Sequence, residues 1–317
     1  MPYIAFVDMV GTRASALRSS KEYTSAISTF AYTLKQLYEH FHCKIYGYSD
    51  NAYLEFQEYG QMVDFLQLLR ELLMNEHRYF TAAVDTGSLL AKQHSFGKQN
   101  GFAMEFTSSV ATDIYIRQRQ FSGIGISLSD SLVKENEKND TFCTSIFHCC
   151  DASADDLGFE EVIDLAYRPV TLEQLRFVFA DYIVASSMNV RAGRYYLTPI
   201  ISMIKCLDPS VVLNEIEPLV SLLSLHSLPS SFNKLTYIDT YSMYFLLALV
   251  DRVFSMQENS PLVDSQKICE YIIKNRNKPD IDLVGFLSNA RESVITAVHK
   301  REFLEVLYNV RMKAKDE

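Results

Sequence analysis

Apolar and polar positions change rhythm along the chain, and each change predicts a different kind of element. Residues 3–9 are β-branched and aromatic and predict a strand, closed by a Gly-Thr turn. Over residues 21–41, Ile27, Phe30, Ala31, Leu34, Leu37 and Tyr38 recur at helical spacing. Two short strands, 43–48 and 52–57, flank Ser49-Asp50-Asn51, which is a hairpin pattern. A second helix is expected over 62–75 and a strand over 80–85, ending at Thr86-Gly87. The polar stretch 92–101 reads as a loop, helical spacing returns over 104–119, and 123–128 reads as a further strand. The order β-α-β-β-α-β predicts an α+β fold of the ferredoxin-like split type, an antiparallel sheet with helices on one face. Its other face needs a cover, and a second copy of the chain is one way to supply it.

After Ile163 the alternation stops. Residues 171–188, 199–207, 211–225, 235–256, 265–274 and 292–310 all suit helices, punctuated by Pro209, Pro229 and Pro261. The expectation is therefore two domains, an α+β domain over 1–165 and an all-helical region over 166–317 whose role the pattern leaves open.

Composition narrows the setting. With 317 residues, 48% hydrophobic and 22% charged, the chain has ordinary globular proportions and room for both domains. Its longest apolar run, 243–250, is cut short by Asp251 and Arg252, so no membrane partner is expected. The start has no basic stretch followed by an apolar one, and the six cysteines show no CxxC pair. Reduced thiols in a cytoplasm are the expectation. A net charge of −9 argues against a generic nucleic-acid partner, which needs a basic face. It leaves room for a nucleotide enzyme, because carboxylates that hold divalent cations let an acidic protein take a more acidic substrate.

Two aspartates are the candidate chemistry. Asp8 ends the first strand in Ala5-Phe-Val-Asp8-Met-Val-Gly-Thr12, and Asp50 sits in the hairpin Tyr46-Gly-Tyr48-Ser-Asp50-Asn. The first strand is expected beside the strand entering that hairpin, which lets the two carboxylates converge. Such a pair suits two divalent ions on a triphosphate, one at the attacking oxygen and one at the leaving oxygen. Backbone N–H groups of the turn Met9-Val10-Gly11-Thr12 would face the phosphates. Taken singly, each aspartate is as well explained as a turn former or helix cap.

The segment Phe6-Val-Asp8-Met-Val-Gly11-Thr12 resembles the first metal motif of class III nucleotidyl cyclases. Tyr46-Gly-Tyr48-Ser-Asp50-Asn-Ala-Tyr53 is similar to their second, and Ala82-Ala-Val-Asp-Thr-Gly87 resembles the strand that follows. The resemblance implies closure of a nucleoside triphosphate to a 3′,5′-cyclic monophosphate. It implies two divalent cations per site, Mn²⁺ or Mg²⁺, with Asp8, Met9 and Asp50 as metal residues. It also implies a homodimer, one copy giving the carboxylates and the other the base pocket and transition-state groups.

The chain departs from that family where a purine is usually recognised. Tyr46 stands where many members carry lysine, and the helix over 104–119 has no Asn-x-x-x-Arg. It offers Ser109, Asp113 and Arg117 at four-residue spacing, so Arg117 is the candidate transition-state residue. Tyr46 and Tyr48 alternate onto one face with Asp50 beyond them, a compact pocket suited to a pyrimidine. Eroded purine motifs on a small cyclase resemble the pyrimidine cyclases of bacterial Pycsar antiphage systems. That implies UTP, then CTP, as substrate and a separate effector protein that senses the cyclic nucleotide. Sheet packing explains the tyrosines equally well, and a solvated helix-end cation explains Arg117. A purine cyclase, an inactive sensor or scaffold on the same fold, and a palm-type polymerase remain as alternatives. Phe96-Gly97-Lys98, His148-Cys149-Cys150-Asp151, His40, His42, Arg191, Arg194 and Lys205 have no spacing that assigns them a role.

Overall fold

A computed structural model describes residues 1–96, 101–136, 141–149, 159–168, 170–188, 193–208 and 211. The chain divides into two compact units, one of Met1–Pro169 with Ala180–Ser202 and another of Val170–Phe179 with Met203–Glu317. Most of the second, including the helices expected from 211 onward, lies outside the described residues.

The first unit begins β1 (Tyr3–Met9), α1 (Thr12–Arg18), α2 (Ser20–Tyr38), β2 (Cys43–Tyr48), β3 (Asn51–Phe56), α3 (Tyr59–Asn75) and β4 (Phe80–Thr86). It continues with β5 (Ala91–Phe96), β6 (Gly101–Phe106), α4 (Ser109–Gln120), β7 (Phe121–Ser122), β8 (Gly125–Leu128), α5 (Asp130–Glu135), β9 (Phe142–Cys149) and β10 (Phe159–Leu165). α6 (Leu172–Met188) and α7 (Leu197–Cys206) follow. The main sheet runs β2-β3-β1-β4-β8-β10-β9-β7. Its first four strands are the expected α+β split unit, and β4 pairs β8 in parallel.

Four expectations change in detail. β1 lies beside β3, the strand leaving the hairpin, because the crossover from β1 to β2 leaves one slot and the hairpin returns into it. The polar stretch from 92 onward is not all loop. β5 pairs β6 in a separate two-stranded sheet, so main-chain bonds define a ribbon that apolar alternation did not announce. Residues 104–106 therefore belong to β6, and α4 starts at Ser109, where the Ser108 hydroxyl accepts the Ala111 N–H at 3.1 Å. The strands β9 and β10, read as neither strand nor helix, extend the sheet beyond β8.

Both faces of the sheet are covered within the chain. On one, Ala5, Val7, Leu54, Phe56, Ala82 and Val84 pack against Phe30 and Leu37 of α2 and Phe65 and Leu69 of α3. On the other, Ile4, Phe6, Tyr53 and Ala83 meet Ala111 and Ile114 of α4, so the chain's own helix covers part of the face for which a second copy was invoked. Period-two alternation along β1 sends Asp8 to the α4 side with Ile4 and Phe6. Asp164 of β10 is fully buried; its carboxylate accepts the Ile126 N–H at 2.7 Å, and burial pushes its pKa up to about 6.

Two glycines hold the turns around the site for different reasons. Gly11 has φ +84° with open space around it, whereas a Cβ on Gly87, at φ +152°, would meet a Val110 methyl at 2.3 Å. Gly11→Ala is expected to cost about 1 kcal/mol, the price of positive φ alone. Gly87→Ala is expected to cost about 2–4 kcal/mol, from φ and overpacking together. Denaturant unfolding of the two variants side by side measures the difference.

Candidate active site

β1 delivers Asp8 opposite Asn51, one residue beyond the β2–β3 turn. That turn is two residues long, with Ser49 in the left-handed region at φ +48°, and the chain reverses there tightly enough to bring Asp50 back over the end of β1. A main-chain bond closes the arrangement: the Met9 N–H donates to the Asp50 carbonyl at 2.9 Å. From the other side the Thr12 hydroxyl, at the start of α1, donates to Asp50 Oδ2 at 2.6 Å. The two carboxylates are therefore neighbours by ladder register, by a backbone bond and by a hydroxyl clamp. Burial and the like charge of Asp50 raise the Asp8 pKa from its ordinary value to about 6; the Gln118 hydrogen bond and the Arg119 guanidinium oppose the rise.

The last turn of α4 contributes two side chains that sequence reasoning missed. Gln118 is 7% exposed, and its Nε2 donates to Asp8 Oδ2 at 3.2 Å. Exposed Arg119 is the cation whose charge reaches Asp8. Neither stands out in sequence, because a polar pair at the end of an amphipathic helix usually marks a solvated terminus. Arg117 is half-buried, and among the described residues its side chain makes no hydrogen bond or ion pair with either carboxylate. Its Nη1 is buried and has no hydrogen-bond partner among the described residues. Ser109 and Asp113 are exposed on α4.

The glycine turn offers fewer N–H groups than its sequence suggests. The Met9 N–H is taken by Asp50 and the Val10 N–H by the Tyr79 carbonyl at 2.9 Å, leaving only those of Gly11 and Thr12. The Met9 side chain is buried in the core at 4% exposure, so only its main-chain carbonyl could face a cation. Tyr46 is half-buried, its ring edge-on to Phe106 at 5.8 Å. Tyr53 stacks with Phe6 and Phe106 at 4.7 and 4.8 Å. Tyr46, Tyr53 and Phe6 lie in one cross-strand row, and Tyr48, Asn51 and Asp8 occupy the next. An aromatic surface thus adjoins the carboxylates on the α4 face. A cavity of about 600 Å³ between α2 and β2 touches Ser49 and Asn51, but neither carboxylate lines it. The Asp85 carboxylate is occupied, accepting from the Thr86 N–H and the Ser129 and Ser131 hydroxyls.

The donor set suits a hard divalent cation. Two adjacent carboxylates and a main-chain carbonyl are oxygen ligands of the kind Mg²⁺ and Mn²⁺ take, with substrate phosphates and water completing the shell. Among the described residues no group of three His, Cys, Asp or Glu side chains gathers, so these carboxylates act as a pair.

No family model and no curated protein matches the sequence. Among solved structures, the guanylyl cyclase Cya2 is similar over 53% of this chain and 93% of its own, at 13% identity and a TM-score of 0.39. An adenylate cyclase of Trypanosoma brucei, in its monomeric state, is similar over 53% and 88% at 10% identity and a TM-score of 0.39. The guanylate cyclase domain of RhGC from Catenaria anguillulae, solved with GTP, is similar over 53% and 96%, again at 10% identity and 0.39. These are likenesses of chain path, and the roles of individual residues rest on the contacts above.

The raised pKa of Asp8 fixes a pH dependence. The folded chain takes up a proton near pH 6 that the unfolded chain takes up near 4, so acidification through pH 6 favours the fold. Asp164 acts in the same direction, so a variant is needed to isolate Asp8. Metal-free Asp8→Asn is expected to be about 2–3 kcal/mol more stable than the parent at pH 7.5 and about half that at pH 5, the gap closing only below about pH 4. Mn²⁺ should raise the melting temperature of the parent but not of Asp8→Asn. Thermal unfolding at the two pH values, with and without Mn²⁺, reads both effects.

Proposed function

We propose that this chain is a nucleotidyl cyclase that converts a pyrimidine nucleoside triphosphate, UTP ahead of CTP, to its 3′,5′-cyclic monophosphate and pyrophosphate. The observation that carries the proposal is the forced neighbourhood of Asp8 and Asp50 at the rim of an aromatic face. Two carboxylates held this way, at a cost visible in the Asp8 pKa, are expected where cations are to be bound.

In this reading Asp8, Asp50 and the Met9 carbonyl hold two divalent cations, with Mn²⁺ or Mg²⁺ as cofactor. When bound, the cations supply the positive charge that acidifies the ribose 3′-hydroxyl and neutralises the departing pyrophosphate. The 3′-hydroxyl gives its proton to water and its oxygen bonds to the α-phosphorus, as the bond from that phosphorus to the bridging oxygen breaks and pyrophosphate leaves with the electron pair. Thr12 fixes the rotamer of Asp50 through its hydroxyl bond, so the acceptor geometry is set before substrate arrives. Arg119 adds a fixed positive charge for the triphosphate on the same chain. No protein nucleophile is required, since positioning and electrostatics carry this kind of transfer.

The base is assigned to the tyrosine-rich face. Tyr46 is only half-buried, and its hydroxyl can donate or accept, which suits a uracil edge better than a fixed ammonium would. Arg117, half-buried and bonded to neither carboxylate of its own chain among the described residues, is assigned to the nucleotide of a second copy. The working form is then a homodimer with sites at its interface. The product would act as a second messenger read by a separate effector protein, in antiviral defence.

Incubating the purified chain with Mn²⁺ and each of ATP, GTP, CTP and UTP, with products identified by mass spectrometry, tests the proposal. Cyclic UMP is the expected product. A cyclic purine would keep the chemistry and overturn the base assignment, and no product from any of the four would favour a silent nucleotide sensor. Asp8→Ala and Asp50→Ala should each lower turnover at least about 10³-fold. Arg119→Ala should mainly raise KM, by about tenfold, as expected for a cation that binds phosphate in ground state and transition state alike.

A further inference from the structure

Gln118 presents an imbalance at the heart of the site. Its Nε2 is bonded to Asp8, while its Oε1 is buried with no hydrogen-bond partner among the described residues. A buried carbonyl oxygen left without a donor costs about 1–3 kcal/mol, so an orphan of this kind calls for a missing positive partner. The orphan belongs to a side chain 7% exposed whose other end already touches the carboxylate pair. In the absence of a cation, the amide end is the one that satisfies Asp8. Half a turn about the Cγ–Cδ bond exchanges the two ends and brings Oε1 to the position from which Nε2 now reaches Asp8 Oδ2. Glutamine carbonyls are ordinary ligands of hard divalent cations.

Charge explains why a carboxamide serves here. Asp8 already carries the repulsion of Asp50, and a third carboxylate would add to it whenever the metal is absent. No third acidic, histidine or cysteine side chain joins the pair among the described residues, so a further side-chain ligand drawn from them would be a neutral oxygen.

We propose that Gln118 is a further neutral oxygen ligand, beside the Met9 carbonyl, of one of the divalent cations held by Asp8 and Asp50, its carboxamide turning from Asp8 to the ion on binding. This rests on the two-carboxylate reading of the site. It extends that reading to α4, so that cation binding fastens the last turn of this helix to the end of β1. The rival role is a hydrogen-bond donor that orients Asp8 and never touches the metal.

The test uses the full-length chain without nucleotide, with Mn²⁺ as probe and electron paramagnetic resonance to separate free from bound ion. Asp8→Asn is expected to abolish binding; unchanged affinity in that variant overturns the two-carboxylate site itself, whatever Gln118 does. Gln118→Met, similar in length and without an oxygen, is expected to weaken Mn²⁺ binding about tenfold. Protein labelled with ¹³C at the glutamine carboxamide then decides between ligand and donor. A hyperfine coupling between bound Mn²⁺ and a carboxamide carbon, present in the parent and lost in Gln118→Met, is the expected result. Bound Mn²⁺ that depends on Asp8 but shows no such coupling overturns the proposal and leaves Gln118 as a donor to Asp8. The labelled parent gives this answer even if Gln118→Met fails to fold.

Discussion

Two like charges are held side by side at the end of β1, and much of the surrounding architecture is what keeps them there. The Met9 N–H bonded to the Asp50 carbonyl fixes the distance between the two chain segments, and the Thr12 hydroxyl fixes the Asp50 side chain. Neither bond overcomes the repulsion alone, since a single hydrogen bond contributes about 1 kcal/mol net. The ladders from β3 to β1 and from β1 to β4, with the apolar layer beneath them, make the position rigid. Burial first, and the Asp50 charge second, appear as a raised Asp8 pKa, and a bound cation would offset both.

The two sheet faces divide the labour. The α2 and α3 side is a close-packed apolar layer, with Phe30, Phe56, Phe65 and Leu69 almost fully buried. The α4 side is mixed. Phe6, Tyr53 and Phe106 form an aromatic surface, and the Tyr53 hydroxyl spends its proton on the Ala111 carbonyl. Because α4 runs across this surface and ends near Asp8, its final turn puts Gln118 in hydrogen-bond reach of that carboxylate and lets the charge of Arg119 act on it. Gly87, just after β4, permits that approach, because Val110 at the start of α4 leaves no room there for a side chain. The surroundings of the carboxylate pair therefore depend on how one helix is seated, a connection that neither carboxylate motif contains.

The chain itself specified a good deal. β1, β2, the hairpin at Ser49-Asp50, α3 and β4 were legible because each is a short apolar or aromatic run or carries a period of about 3.6, bounded by glycine or polar turn residues. The candidate aspartates were legible for a related reason: an acidic residue closing an apolar strand breaks the local pattern and draws notice. The ribbon β5–β6 was not legible. Its strands leave the main sheet, and a two-stranded ladder needs no apolar alternation. β9 and β10 were missed among short polar interruptions that local pattern cannot weigh against distant pairing.

Only the tertiary structure decided which strand lies beside β1, which N–H groups of the glycine turn remain unused, and which residues of α4 face the carboxylates. These are consequences of pairing and packing between segments far apart in the chain, so no local window contains them. Gln118 and Asp8 are separated by 110 positions and meet at 3.2 Å. Four-residue spacing on α4 pointed to Arg117, yet the seating of that helix lets the charge of Arg119 reach Asp8, while Arg117 keeps a buried nitrogen without a partner among the described residues. The sequence determined that two carboxylates would stand at strand ends in an α+β fold. The fold determined how close they stand, what they cost and which neighbours they share, because those depend on distances that only long-range packing sets.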